Sequence, residues 1–173
     1  SHGISGIYLS YTDISELDSP KSSTQQEIIT TQFQPHYART LLPCIDEPEA
    51  KAVFNFNLNL RSNQGEDTEA LKSSEVLFNT SPNSDIFNIS TEHRELRFQP
   101  TPKMSSYLLA LTIGNLGYRE LQSKNGVTIR ALATPNKVKD TAFALDFASK
   151  TLKLLEDLFK FEYPLQKLDL VAV

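Results

Sequence analysis

The stretch Ala52-Val53-Phe54-Asn55-Phe56-Asn57-Leu58-Asn59-Leu60 alternates apolar and amide side chains with a period of two. That period predicts a β-strand starting at Ala52. It puts Phe54, Phe56, Leu58 and Leu60 on one face and Asn55, Asn57 and Asn59 on the other. Burying the four apolar side chains contributes about 1.5–3 kcal/mol each before entropy is counted. A second layer must therefore cover that face.

The same grammar extends in both directions. Residues 4–11 read as a strand, 12–26 as a polar loop, and 28–33 as a second strand that Pro35 ends by removing an amide donor. Downstream, the Ser-, Asn- and acid-rich residues 62–74 read as a solvated loop. Further strands are expected at 76–80, 95–99 and 106–113, and Asn125-Gly126 reads as a tight turn into a strand over 127–133. The pattern then changes. Between 138 and 161 the apolar residues Val138, Ala142, Leu145, Ala148, Leu152, Leu155 and Phe159 recur every three or four positions. That spacing predicts an amphipathic helix, stopped by Pro164, with Lys150, Lys153, Glu156 and Asp157 in water. A last strand is expected at 168–173, so a β-rich region gives way to strand, helix, strand with a boundary near Gly126.

Composition narrows the function. The 173 residues are 39% hydrophobic and 22% charged, enough for a packed core. Seventeen basic against 21 acidic residues give a net charge of −4, so no nucleic-acid partner is expected. The longest nearly apolar run, 107–114, is too short to cross a bilayer, and no membrane segment or signal-peptide pattern is expected. One cysteine, Cys44, makes no internal disulfide, and with His2, His36 and His93 it forms a thin supply of zinc ligands. No H-E-x-x-H occurs, no serine triad, and no phosphate-cradling glycine loop. His93-Arg94-Glu95 suits neither a ligand pair nor a catalytic dyad and reads as an exposed stretch before a strand. No catalytic residue and no bound metal are expected of this chain alone.

Four ordered stretches carry a resemblance. Thr31-Gln32-Phe33-Gln34-Pro35, Ala38-Arg39, Pro43-Cys44-Ile45-Asp46-Glu47-Pro48 and Lys51-Ala52-Val53-Phe54 make one block. The others are Gly6-Ile7-Tyr8-Leu9-Ser10, Met104-Ser105-Ser106-Tyr107-Leu108, and Tyr163-Pro164-Leu165-Gln166-Lys167-Leu168-Asp169-Leu170-Val171. Together they resemble the aminopeptidase N family of zinc metallopeptidases, which includes alanyl- and oxytocinase-type aminopeptidases and leukotriene hydrolase relatives.

The resemblance implies a mainly β fold. Residues 1–126 would be the second part of the saddle-shaped β-sandwich N-terminal domain. Residues 127–173 would open the thermolysin-like catalytic domain and stop before its peptide-binding loop and zinc motif. The implied activity is a zinc-dependent aminopeptidase acting on peptides with a free N-terminus, with zinc held by the remainder of the same polypeptide. Gln34 occupies the position where the family commonly has a glutamate that binds the substrate's α-amino group, with Gln32 its neighbour on the same strand face. Glutamine keeps an acceptor oxygen and loses the charge. Arg39 and Asp46 are expected to support the loop presenting Gln34, with Cys44 a small buried hydrophobe. Two alternatives stay open: a non-catalytic scaffold homologue that serves as an interaction platform, and a leukotriene-type epoxide hydrolase, prompted by Gln34. A lone cysteine points to the cytoplasm. The acceptor patterns Asn79-Thr80-Ser81 and Asn88-Ile89-Ser90 suit a secretory or membrane-anchored alternative glycosylated at Asn79 or Asn88.

Overall fold

The structure is a computed structural model that describes residues 5–14, 24–61, 68–88 and 90–173. The architecture is mainly β. Two compact units emerge, one built from residues 5–11 and 26–115, the other chiefly from 116–173.

The first unit contains two sheets. Strands β1 (Gly6–Ile14), β2 (Thr24–Gln32), β4 (Glu75–Phe78) and β7 (Leu111–Gly114) form a sheet ordered β1-β2-β7-β4. Strands β3 (Asn57–Arg61), β5 (Pro82–Asn88) and β6 (His93–Phe98) form the other, ordered β3-β6-β5 and antiparallel throughout. Helix α1 (Thr68–Ser73) lies in the stretch read from sequence as a loop. The predicted strand at 52–60 is hydrogen-bonded as regular strand only from Asn57. Before it, Phe98 N–H donates to Phe56 O and Thr101 N–H to Phe54 O. Asn55 on one side thus lies opposite Gln99 and Pro100 on the other, which interrupts the ladder as a bulge does. The expected face survives this irregularity. Phe54, Phe56, Leu58 and Leu60 pack against a buried cluster that includes Phe33, Val76, Phe78, Leu96, Phe98 and Leu111. Phe56 and Phe78 stack with ring centroids 4.5 Å apart, and Phe98 closes the trio at 5.9 and 5.3 Å. Offset aromatic contacts of this kind add to the area they bury.

One strand of this unit, β5, escapes the sequence reading, and another is shortened. β5 is polar, and only Ser84 and Phe87 are half-buried on it. The expected strand at 106–113 divides into a 3-10 turn, Ser106–Leu108, and the short β7.

The second unit holds β8 (Gly117–Gln122), β9 (Thr128–Ala133) and β10 (Lys167–Val171), ordered β10-β9-β8. The Asn125-Gly126 turn lies inside the antiparallel β8–β9 hairpin, and β8 groups with this sheet rather than with the residues before it. β10 runs parallel to β9, which requires a crossover connection. Helix α2 (Ala142–Phe159), entered through a 3-10 turn at Val138–Thr141, supplies it. Val127, Ile129 and Ala131 pack against Leu145, Ala148 and Leu152, with Leu168 and Leu170 alongside. The inner face of α2 is narrower than its spacing predicts. Ala142 is exposed, Leu155 is 40% exposed and Phe159 70%, and Phe143, Phe147, Leu154 and Leu158 are exposed too. α2 ends at Lys160, which adopts a left-handed conformation (φ 53°) and donates its N–H to Glu156 O, several residues before Pro164.

Candidate functional site

The Thr31–Pro35 motif straddles the end of β2. Thr30 and Thr112 face each other across β2 and β7, their hydroxyls 2.9 Å apart, and Leu111 N–H donates to Thr31 Oγ1 at 2.9 Å. Gln32 is the last residue of β2 and is exposed, whereas Phe33 enters the core at 3% exposure. Gln34 is exposed, but it does not share a strand with Gln32. It begins a turn over 34–37 with a cis bond to Pro35, closed by Tyr37 N–H donating to Phe33 O at 2.8 Å. The alternation out, in, out persists across the strand end, so both glutamines face solvent on either side of buried Phe33. A small apolar cavity of about 100 Å³ is lined by Phe33, Leu42, Phe54, Phe56, Phe78 and Leu111.

The turn feeds a 3-10 turn at Ala38–Thr40, tied down by Asp46. Arg39 N–H donates to Asp46 Oδ2 at 3.0 Å, its Nε reaches the same oxygen at 3.4 Å, and a terminal guanidinium nitrogen donates to Asp46 O at 3.0 Å. Ser106 Oγ donates to Asp46 Oδ1 at 2.7 Å. Asp46 is buried, as is Ser106 at 1% exposure. Burial opposes ionisation of Asp46. The hydrogen bonds from Ser106 and Arg39, with the guanidinium charge, outweigh it and hold the carboxyl below the usual aspartate value. Glu47 sits 3.6 Å from the guanidinium on the exposed side, and Cys44 is half-buried against the core. Ser106 was not singled out from sequence. Its motif marks it only as part of a strand, and its partner lies 60 residues away.

His93-Arg94-Glu95 departs from expectation. It opens β6, and Arg94 is buried rather than exposed. Arg94 forms a fork with both oxygens of Asp85 at 2.9 and 2.7 Å, and donates to Leu71 O and Ser74 O at the end of α1. His93 is half-buried with its Nε2 unpaired. The stretch braces α1 against the β5–β6 hairpin.

A second buried carboxylate lies in the other unit. Asp169 accepts Arg130 Nε at 2.7 Å and a terminal guanidinium nitrogen at 2.9 Å, and it also accepts Lys167 Nζ. Arg130 stands 5.4 Å from the Tyr118 ring centroid. Burial opposes the Asp169 charge, but Arg130 and Lys167 hold its pKa below the ordinary value, while burial pushes Lys167 down. Burial and the Asp169 charge push the Tyr163 phenol up. Lys167 and Asp169 are two apart on one strand, the one signal in the sequence that they share a face.

Both acceptor asparagines are described. The Asn79 amide is engaged on both sides, donating to Leu108 O at 2.9 Å and accepting Ala110 N–H at 2.8 Å. Asn88 is exposed and its Oδ1 accepts from Ser90 N–H and Oγ. Among the described residues, no group of three or more His, Cys, Asp or Glu fits a metal ion. No described helix is long and apolar enough to cross a membrane.

The profile of the Peptidase M1 N-terminal domain matches residues 3–108. The chain is 35% identical over 153 residues to a puromycin-sensitive aminopeptidase of Caenorhabditis elegans, covering 88% of this chain and 15% of that protein. It is 34% identical over 161 residues to aminopeptidase N of Lactococcus lactis subsp. lactis, covering 92% and 16% respectively. With aminopeptidase M1-A of Oryza sativa subsp. japonica it shares 33% identity over 163 residues, covering 94% and 17%. The chain belongs to the Peptidase M1 N-terminal domain family. It spans about one sixth of the length of these relatives.

Proposed function

We propose that this chain forms part of a zinc-dependent aminopeptidase that hydrolyses N-terminal residues from peptides. Residues 1–126 serve in this reading as N-terminal-domain sandwich and 127–173 as the opening of the catalytic domain. Zinc, and the activated water it supplies, belong to the remainder of the polypeptide. The role of this segment is to wall the substrate cleft. Gln34, assisted by Gln32, accepts a hydrogen bond from the substrate ammonium, and Arg39 and Asp46 hold the turn that carries Gln34. The cytoplasm is the compartment proposed.

The observation that supports this most is the pairing of a solvent-facing Gln34 with a 3-10 turn anchored five residues on, at Arg39, through Asp46 to buried Ser106. A turn whose backbone is already fixed spares the loop-ordering cost when its amide meets an ammonium, leaving only the side-chain rotamers to be ordered. Being uncharged, Gln34 contributes a hydrogen bond without the full Coulombic attraction of a carboxylate. In the full-length protein, Gln34→Glu should lower KM for peptides with a free amine and leave N-blocked peptides unaffected. An unchanged KM removes Gln34 from the site.

A further inference from the structure

Asn125-Gly126 is the sequence's one Asn-Gly pair, and the structure joins its side chain to the end of helix α2. Ser123 N–H donates to Val127 O at 2.9 Å and Gly126 N–H to Ser123 O at 3.1 Å, closing the β8–β9 turn. Both Asn125 and Gly126 are exposed. Gly126 holds φ +81°, and a Cβ there would meet nothing within 4 Å. The side of Gly126 where a Cβ would sit is thus open, while its amide is held by Ser123 O and must be released before it can react.

Across from it, Asn125 Nδ2 donates to Glu156 Oε2 at 3.2 Å. Glu156 is a junction. Its Oε1 accepts Tyr163 N–H at 2.9 Å, and its carbonyl accepts the N–H groups of Lys160 and Phe161 that end α2. One side chain thus links the hairpin turn to the segment leading from α2 into β10.

We propose that Asn125 is a site of spontaneous deamidation that acts as an ageing switch on this junction. The Gly126 backbone nitrogen, released from Ser123 O, attacks Asn125 Cγ. A C–N bond forms, Nδ2 leaves as ammonia carrying the Gly126 amide proton, and a five-membered succinimide results. Water then adds to either ring carbonyl and yields aspartate or isoaspartate. The aspartate product replaces the donor facing Glu156 with a second carboxylate, and like charges at hydrogen-bond range repel. The isoaspartate product also lengthens the backbone of the turn. Both sever the link to Glu156. Lys124, Lys150, Lys153 and Lys160 line the same surface depression as Glu156, but so do the carboxylates of Asp157 and Glu162, and the lysines cannot restore a neutral donor.

The test is incubation of the full 173-residue chain at mildly alkaline pH, followed by peptide mass mapping and labelling with an isoaspartate-specific methyltransferase. Asn125 should lose ammonia roughly tenfold faster than any other asparagine, because only a following glycine leaves the attacking amide unhindered. Asn125→Gln, which retains a donor, should abolish the fast phase. Hydrogen exchange on aged protein should show faster exchange at Phe161 and Tyr163, and no such change in aged Asn125→Gln. Equal rates at Asn125 and the other asparagines would overturn the site. Deamidation without altered exchange at Phe161 and Tyr163 would overturn the switch.

Discussion

The two units each bury a carboxylate against an arginine, and they do it differently. In the first, Asp46 and Arg39 are seven residues apart on one loop, and the arginine is half exposed, its side chain at 50%. In the second, Asp169 and Arg130 are 39 residues apart and meet because parallel β10 and β9 set them in register. There the arginine, lysine and aspartate side chains are 18%, 11% and 8% exposed. The first pair steadies a turn from its edge. The second is a largely buried brace whose members have little access to water when one is lost.

That contrast should appear most strongly in Asp169→Ala. Two buried cations are then left without their carboxylate, and denaturant unfolding should show a loss of about 3–5 kcal/mol. Asp46→Ala should cost less, about 1–3 kcal/mol by the same measurement, since the hydroxyl of Ser106 and the amide of Arg39 lose a partner while the guanidinium stays in water.

Acid should weaken both pairs in the same direction. Each carboxyl has a folded-state pKa below its unfolded value, so the unfolded chain binds more protons in the acid range. Their contribution is fully present above the ordinary carboxylate pKa and is lost as pH falls through the lowered folded values. The acid limb of a stability–pH curve should flatten in either alanine variant, more in Asp169→Ala. The smallest effect belongs to Arg39→Ala, about 0–1 kcal/mol, because its exposed head is screened by solvent. A cost matching that of Asp169→Ala would erase the distinction between edge and interior.

Much of this was legible in the residues. The Asn/Phe/Leu alternation of 54–60 named the core-facing, half-buried side correctly even where the strand ladder breaks, because side-chain direction depends on extended backbone and not on regular pairing. β5 was not legible, since a polar edge strand carries little hydrophobic period. Nor was α1, whose six residues bury no side chain. The α2 stripe was overread. Leu155 and Phe159 have the right spacing but lie beyond the part of the helix packed over the sheet. Gln32 and Gln34 were found by motif, yet their separation into strand and turn was not, because a proline can end a strand in several geometries.

The amino-acid order by itself settled the β-rich first region, the strand-helix-strand that follows it, and membership of the M1 N-terminal domain family. All of these rest on local period or on contiguous motifs. Only the folded chain decided that Ser106 completes the Asp46 anchor, that Arg94 is interior, and that Arg130, Lys167 and Asp169 form one charged cluster. Such partners lie far apart in sequence, and sheet register and burial, which no local pattern encodes, select them.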